Sequence, residues 1–191
     1  MKLLSIIRMI FSAITKPKQH IIFDQFLNGR VIDIGGGGEA VIGQVGGGRV
    51  VALDKHPSEI REARGKAPAV SWLVADAMNI PCESGCFGQG TAFFSCMYMG
   101  DDAIEKVFKE ARRVIKRGGA LWVWDVPMHL SQKEYGIRIQ VEFRDKRKVN
   151  TMYGVKAKEQ STRSISKLLQ GAGFATEVVD DQKHWFLIRA T

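Results

Sequence analysis

The run Arg30-Val31-Ile32-Asp33-Ile34, followed at once by Gly35-Gly36-Gly37-Gly38 and Glu39, restricts the fold more than any other segment. Val31, Ile32 and Ile34 have the β-branched apolar character of a buried strand, and Glu39-Ala40-Val41-Ile42 can open a helix. A strand that empties through a glycine turn onto a helix N-terminus lets the backbone approach a bulky polar ligand closely. Gly35, Gly37 and Ala40 also satisfy the loose G-x-G-x-x-A dinucleotide spacing, which ordinary tight turns share.

The rest of the chain repeats the alternation. Apolar strands are expected over 30–34, 49–53, 70–74, 91–95 and 120–124. A helix from Asp101 or Asp102 to Lys116 places Ile104, Val107, Phe108, Ala111, Val114 and Ile115 on one side. Its acidic start and basic end suit the helix dipole, and Gly118-Gly119 ends it. A last helix over 161–171 precedes two strands, 175–179 and 185–189, which close the sheet as an antiparallel pair. Near-continuous apolar strands alternating with helices predict an α/β fold, a mostly parallel sheet covered on both faces.

Two segments stand outside that alternation. Residues 1–28 are expected to form an N-terminal helical cap on a core of 29–191. Within the cap, 1–14 reads as an amphipathic helix with Leu3, Leu4, Ile7, Ile10, Phe11 and Ile14 on one stripe and Lys2 and Arg8 mostly elsewhere. The preferred reading packs that stripe on the protein's own domain; the alternative is a peripheral membrane contact through residues 1–14, because the polar side is basic. A second short helix through Ile21, Ile22, Phe23 and Phe26 is expected to stop at Asn28-Gly29. The other segment, about 135–158, alternates in period two on either side of Arg144-Asp145-Lys146-Arg147-Lys148 and reads as an inserted β-hairpin arm with a charged tip. The sequence admits this arm as a cover over an acceptor site, a solvated arm, a homodimer contact or an RNA-phosphate contact.

Charge and cysteine usage narrow the partners. Twenty-eight Lys and Arg against 20 Asp and Glu give a formal net charge of +8, which favours an anionic small molecule, nucleic acid or headgroup, and equally serves solubility. Cys82, Cys86 and Cys96 make no disulfide framework, and the odd count fits a reducing, cytoplasmic setting. His20, His56, His129 and His184 are scattered and supply no ligand set, so no metal is expected.

In such a sheet, ligands bind beyond the carboxyl ends of the strands, where the strand order reverses. Those ends carry Asp33, Asp54, Asp76-Ala77 and Ser95. A carboxylate at Asp54 can accept both ribose hydroxyls. One at Asp76 can accept from an exocyclic amine while a neighbouring backbone N–H donates to a ring nitrogen. Together they describe a pocket for an adenosine carrying a polar tail.

These residues carry a resemblance to the class I S-adenosylmethionine-dependent methyltransferases, of the small-domain "methyltransferase type 11" kind. Val31-Ile32-Asp33-Ile34-Gly35-Gly36-Gly37 resembles the family's first motif, Val51-Ala52-Leu53-Asp54 its ribose strand, and Val74-Ala75-Asp76-Ala77-Met78-Asn79-Ile80-Pro81 its adenine segment. Residues 110–119 are similar to its approach to strand five, and 168–174 to its approach to strand six. The resemblance implies a Rossmann-like seven-stranded sheet with the last strand antiparallel, and S-adenosyl-L-methionine as cofactor. It places Asp33 near the amino-acid end, with Gly35, Gly36 and Gly37 leaving room. Asp54, with Lys55 beside it, goes to the ribose, Asp76 with the Ala77 or Met78 N–H to the adenine, and Ser95 to the end of strand four. Glu39, Gly88 and Cys82 depart from common family residues. The acceptor is expected to be a small molecule, with Tyr98 and His129 as acceptor-side candidates at the strand-four and strand-five mouths. Two other readings share the glycine loop: a non-catalytic cofactor-binding or RNA-associated module using the basic arm, and an NAD-dependent oxidoreductase.

Overall fold

The computed structural model describes residues 3–25, 27 and 29–191. Lys2, Phe26 and Asn28, which enter the sequence reading of the cap, lie outside the described residues. The chain runs α1 (Leu3–Ile14), β1 (Gln19–Phe23), β2 (Val31–Ile34), α2 (Val41–Gly46), β3 (Val50–Asp54), α3 (Pro57–Lys66), β4 (Ser71–Val74) and β5 (Phe87–Phe93). It continues through α4 (Asp101–Val114), β6 (Ile115–Asp125), β7 (Glu134–Phe143), β8 (Lys148–Lys156), α5 (Thr162–Gly171), β9 (Thr176–Asp181) and β10 (Phe186–Ala190).

Seven strands form the main sheet in the order β4-β3-β2-β5-β6-β10-β9. The pairs from β4 to β6 are parallel, and β10 runs antiparallel to both β6 and β9. The order reverses between β2 and β5, so the carboxyl end of β2 opens onto the crevice where such sheets hold ligands. Alternate residues of β2 feed opposite layers: Ile32 and Ile34 join Ile104, Phe108 and Ile165 of α4 and α5, whereas Val31 joins Val41 and Ala63 of α2 and α3. The α4 amphipathic face follows the sequence reading, with Ile104, Val107, Phe108, Ala111 and Val114 all buried. The helix ends one turn's fraction earlier than expected, because Ile115 already pairs with Phe87 as the start of β6.

The second face is not covered by helices alone. β1, β7 and β8 form a separate three-stranded sheet in the order β1-β7-β8 and lie over the β5–β6 part of the main sheet. Phe23 stacks on Trp124 with ring centroids 5.3 Å apart. The hairpin of the sequence reading is present, Ile139 opposite Thr151, but it is packed rather than free: Ile137, Ile139, Val141 and Phe143 are buried. Residues 19–23 correct the expected second helix. Ile21 and Phe23 are buried while His20 and Ile22 are exposed, a period of two, and Ile21 pairs in parallel with Val141. Apolar residues clustered over five positions do not separate strand from helix, and here a partner strand more than a hundred residues away decides.

The first helix also departs from expectation. Its side toward the protein is Met9 and Ala13, both buried, and the six-residue stripe of large apolar side chains points outward. The cause lies in the hairpin. Gly136 and Gly154 are cross-strand partners, and together they make a flat notch for the helix. A side chain at Gly136 would run into the Met9 carbonyl and Ala13; one at Gly154 would meet the Met9 side chain. The notch takes the unbranched Met9 side chain and Ala13, and the two glycines let the helix backbone approach the hairpin closely. The Gly136 N–H donates to Ser12 Oγ at 3.1 Å, and Lys16 Nζ donates to the Gly136 carbonyl at 3.2 Å.

Candidate functional site

The glycine loop is held against β3. The Gly35 and Gly36 N–H groups both donate to the Leu53 carbonyl, at 2.9 and 3.1 Å, and the Gly38 N–H donates to the Glu59 carbonyl at 3.1 Å. Gly35 takes φ +73°, a left-handed conformation, and a Cβ there would lie 2.7 Å from Ser95 Cβ. A Cβ at Gly37 would lie 2.8 Å from Asp54 Oδ2 and 2.6 Å from Glu59 Cβ. The loop therefore has the shape of a cradle that any larger residue would fill.

Three carboxylates surround it. Asp33 is buried at the end of β2, and Thr91 Oγ1 donates to its Oδ1 at 2.7 Å. Burial pushes the Asp33 carboxyl up to about 7; the Thr91 hydrogen bond opposes this and repulsion from Asp54 adds to it. Asp54 ends β3, where its Oδ1 accepts the His56 N–H at 2.8 Å and leaves Oδ2 toward Gly37. Asp76, after β4, accepts the Met78 N–H at 2.9 Å. That bond occupies one of the two backbone donors the sequence offered to a ring. The Ala77 N–H makes no bond within the chain among the described residues.

One cavity of about 1060 Å³ joins these groups, at the upper end of the roughly 300–1,000 Å³ usual for ligand pockets. Asp33, Gly35, Gly36, Gly37, Asp54, Lys55, Asp76, Ala77, Met78 and Ser95 all line it, so every donor-side residue singled out in the sequence is brought together. Tyr98 lines it as well, on the turn Cys96–Tyr98 that follows β5. His129 does not. It sits on the exposed surface with Nδ1 3.0 Å from Glu159 Oε1, away from the cavity.

Ser95 offers a polar group to the cavity. Its Oγ is buried beside the cradle with no hydrogen-bond partner among the described residues. Phe94 before it takes φ +52°, a strained conformation for a bulky residue, and lies between the Phe93 ring and the Tyr153 ring. The glycine cradle, the orphaned hydroxyl, the Asp54 carboxylate and the Asp76 corner suit an adenosine with a charged amino-acid tail.

Several residues were not singled out in the sequence. Tyr153 stacks on Phe94 at 5.2 Å between centroids, and with Ile139 and Thr151 it forms the wall opposite the cradle. Asp125, at the end of β6, is buried and accepts from the Met97 N–H at 3.1 Å, the Val126 N–H at 2.8 Å and Gln160 Nε2 at 2.8 Å. It fixes the turn that carries Tyr98, although it does not line the cavity. Burial raises its carboxyl to about 6 against those donors. Its signal was available: it ends a parallel strand, as Asp33, Asp54 and Asp76 do.

Residues 32–123 match the family model described as a methyltransferase domain. No curated protein sequence matches the chain. Among solved structures, the PH0226 protein from Pyrococcus horikoshii OT3 superposes with a TM-score of 0.64 at 18% identity, over 86% of this chain and 83% of that one. DhpI in complex with SAH gives 0.63 at 18%, over 85% of this chain and 76% of DhpI. An S-adenosylmethionine-dependent methyltransferase from Mesorhizobium loti gives 0.62 at 15%, over 84% and 90%. At these identities the superpositions establish a shared fold. Residues 32–123 therefore carry a methyltransferase domain, and the chain has the fold of S-adenosylmethionine-dependent methyltransferases with a cavity suited to their cofactor.

Proposed function

We propose that this methyltransferase acts on a small-molecule acceptor bound between the glycine cradle and the three-stranded sheet. The observation that carries the reading is that one cavity is lined on one side by Gly37, Asp54 and Asp76 and on the other by Ile139, Thr151 and Tyr153. The hairpin is folded down as that wall and does not project as an arm, which favours a small acceptor over RNA.

S-adenosylmethionine, when bound, supplies an activated methyl group on a sulfonium. The chain's own part is chiefly positioning. Asp54 would hold the ribose hydroxyls, Asp76 and the Ala77 N–H would hold the adenine, and Ser95 Oγ would supply a hydroxyl to the cradle. Asp33, with its raised carboxyl, closes the amino-acid end; a cationic group beside it favours the ionised form. Apolar surface from Phe93, Phe94 and Ile139 excludes water, and Tyr98 and Thr151 offer hydroxyl contacts to orient the acceptor. A cytoplasmic location fits the three unpaired cysteines. None of the described helices is long and apolar enough to cross a membrane.

The test is incubation with methyl-labelled cofactor and fractionated cell extract. The reading expects label in filterable or solvent-extractable material; label confined to precipitated RNA or protein contradicts it. An NAD-dependent oxidoreductase is discriminated by calorimetry, which should give heat with S-adenosylhomocysteine and none with NAD.

A further inference from the structure

The outward face of α1 is an exposed apolar surface that the methyl-transfer site does not use. Leu3, Leu4, Ile7, Ile10, Phe11 and Ile14 are exposed on a helix of 12 residues, with Phe11 at 64% and Leu3 at 72%. An ordinary amphipathic helix turns its large apolar side inward. This one turns Met9, Ser12 and Ala13 inward, onto the Gly136–Gly154 notch, and its bulk outward. The arrangement is held in place from below. Arg138 donates from Nε to the Ala13 carbonyl at 3.2 Å, and from Nη2 to the Ile14 and Lys16 carbonyls at 3.3 and 3.1 Å. Contiguous exposed apolar surface on this scale marks an interaction site.

Charge and position identify what covers it. α1 carries no acidic residue. Residues 3–24 and 134–156, which hold the helix and the sheet beneath it, contain nine Lys and Arg against four Asp and Glu. Strand register puts Ile22, Met152, Lys148 and Asn150 on the side of that sheet where α1 lies, and Ile22 and Met152 are exposed apolar residues. A second copy of the chain would bring the same positive excess to the contact, whereas an anionic lipid surface complements it. The cavity reaches the same region: Lys18, Arg138 and Met152 line it, and Arg138 also donates to the carbonyls at the end of α1.

We propose that α1 is an interfacial helix that seats the protein on an anionic lipid bilayer, with the cavity mouth beside the membrane surface. The apolar stripe enters the headgroup–acyl boundary while Lys18 and the hairpin bases Lys146, Arg147 and Lys148 meet anionic headgroups. Neither cofactor binding nor turnover is needed for this docking.

Co-sedimentation of the full chain with phosphatidylcholine vesicles, and with vesicles containing phosphatidylglycerol, tests it. Binding to the anionic vesicles, weakened by added salt, is expected. The Ile7→Ser/Phe11→Ser variant should lose at least about tenfold in partitioning, since both side chains leave an apolar environment. A Lys146→Glu/Lys148→Glu variant should bind anionic vesicles more weakly. Both variants alter exposed side chains, and unchanged S-adenosylhomocysteine binding by calorimetry certifies their fold. No binding to either vesicle overturns the proposal. So does binding that is indifferent to headgroup charge and salt. If sedimentation velocity instead shows a dimer that Ile7→Ser/Phe11→Ser dissociates, the face belongs to a second copy and the proposal is wrong. Because the readout is vesicle binding, its failure leaves the methyl-transfer reading untouched.

Discussion

Replacing Asp33 with Asn should change the pH dependence of stability in a calculable way. Asp33 is 2% exposed, and its carboxyl is raised from 3.8 to about 7, mainly by burial. A raised folded-state value means the folded protein holds its proton more tightly than the unfolded chain does. The resulting stabilisation is complete below about pH 4 and is lost as pH rises to about 7. At about 1.4 kcal/mol per unit, the shift corresponds to an upper figure of about 4 kcal/mol, of which roughly 2–3 kcal/mol is lost between about pH 5 and about pH 8. Asn is close in shape, does not titrate and can still accept from Thr91 Oγ1. Urea unfolding of both proteins without cofactor, at about pH 5 and about pH 8, reads the difference. The free energy of the wild type should fall relative to Asp33→Asn by roughly 2–3 kcal/mol across that interval. A difference that stays constant with pH refutes the reasoning, because it would mean Asp33 is ionised throughout. Adding Asp54→Asn should shrink the pH effect, since Asp54 repulsion contributes to the shift.

Other outcomes follow from the same geometry. Gly37→Val should abolish measurable cofactor binding by calorimetry while leaving the circular dichroism spectrum intact, because its Cβ would sit 2.8 Å from Asp54 Oδ2. Asp125→Ala removes the shared acceptor of the Met97 and Val126 N–H groups and Gln160 Nε2, and should cost roughly 2–4 kcal/mol in urea unfolding. Gly136→Leu should unseat α1 and expose the chain near Arg8 and Lys16 to trypsin under conditions where the wild type resists. His129→Ala should leave methyl transfer within about twofold of wild type, as an exposed surface substitution does.

The main sheet and the grouping of the strand-end aspartates around one cavity were legible because both depend on local sequence. A strand such as Val31–Ile34, a glycine turn and an aspartate at the strand end occupy neighbouring positions, and the parallel topology places every strand end at one edge. The hairpin was legible from its alternation. Its packing was not, because that depends on β1, and β1 is a strand only through its pairing with β7. The orientation of α1 was hidden for a related reason: its inward side is dictated by Gly136 and Gly154, far along the chain, against the usual preference to bury Leu and Ile. His129 stands near a strand mouth in sequence, yet its ring turns to Glu159 and away from the cavity. Asp125 carried the same signal as the other strand-end aspartates, but its partner Gln160 lies thirty-five residues downstream.

The cradle around Gly37, Asp54 and Asp76 is proposed to hold S-adenosylmethionine. Calorimetric titration of the cofactor into the wild type, Asp54→Ala and Asp76→Ala tests it most directly. Saturable binding to the wild type is expected, with at least about tenfold weaker binding to each variant, as loss of a hydrogen bond to a buried polar ligand implies. Equal affinity in all three proteins, or no binding to the folded wild type, contradicts it.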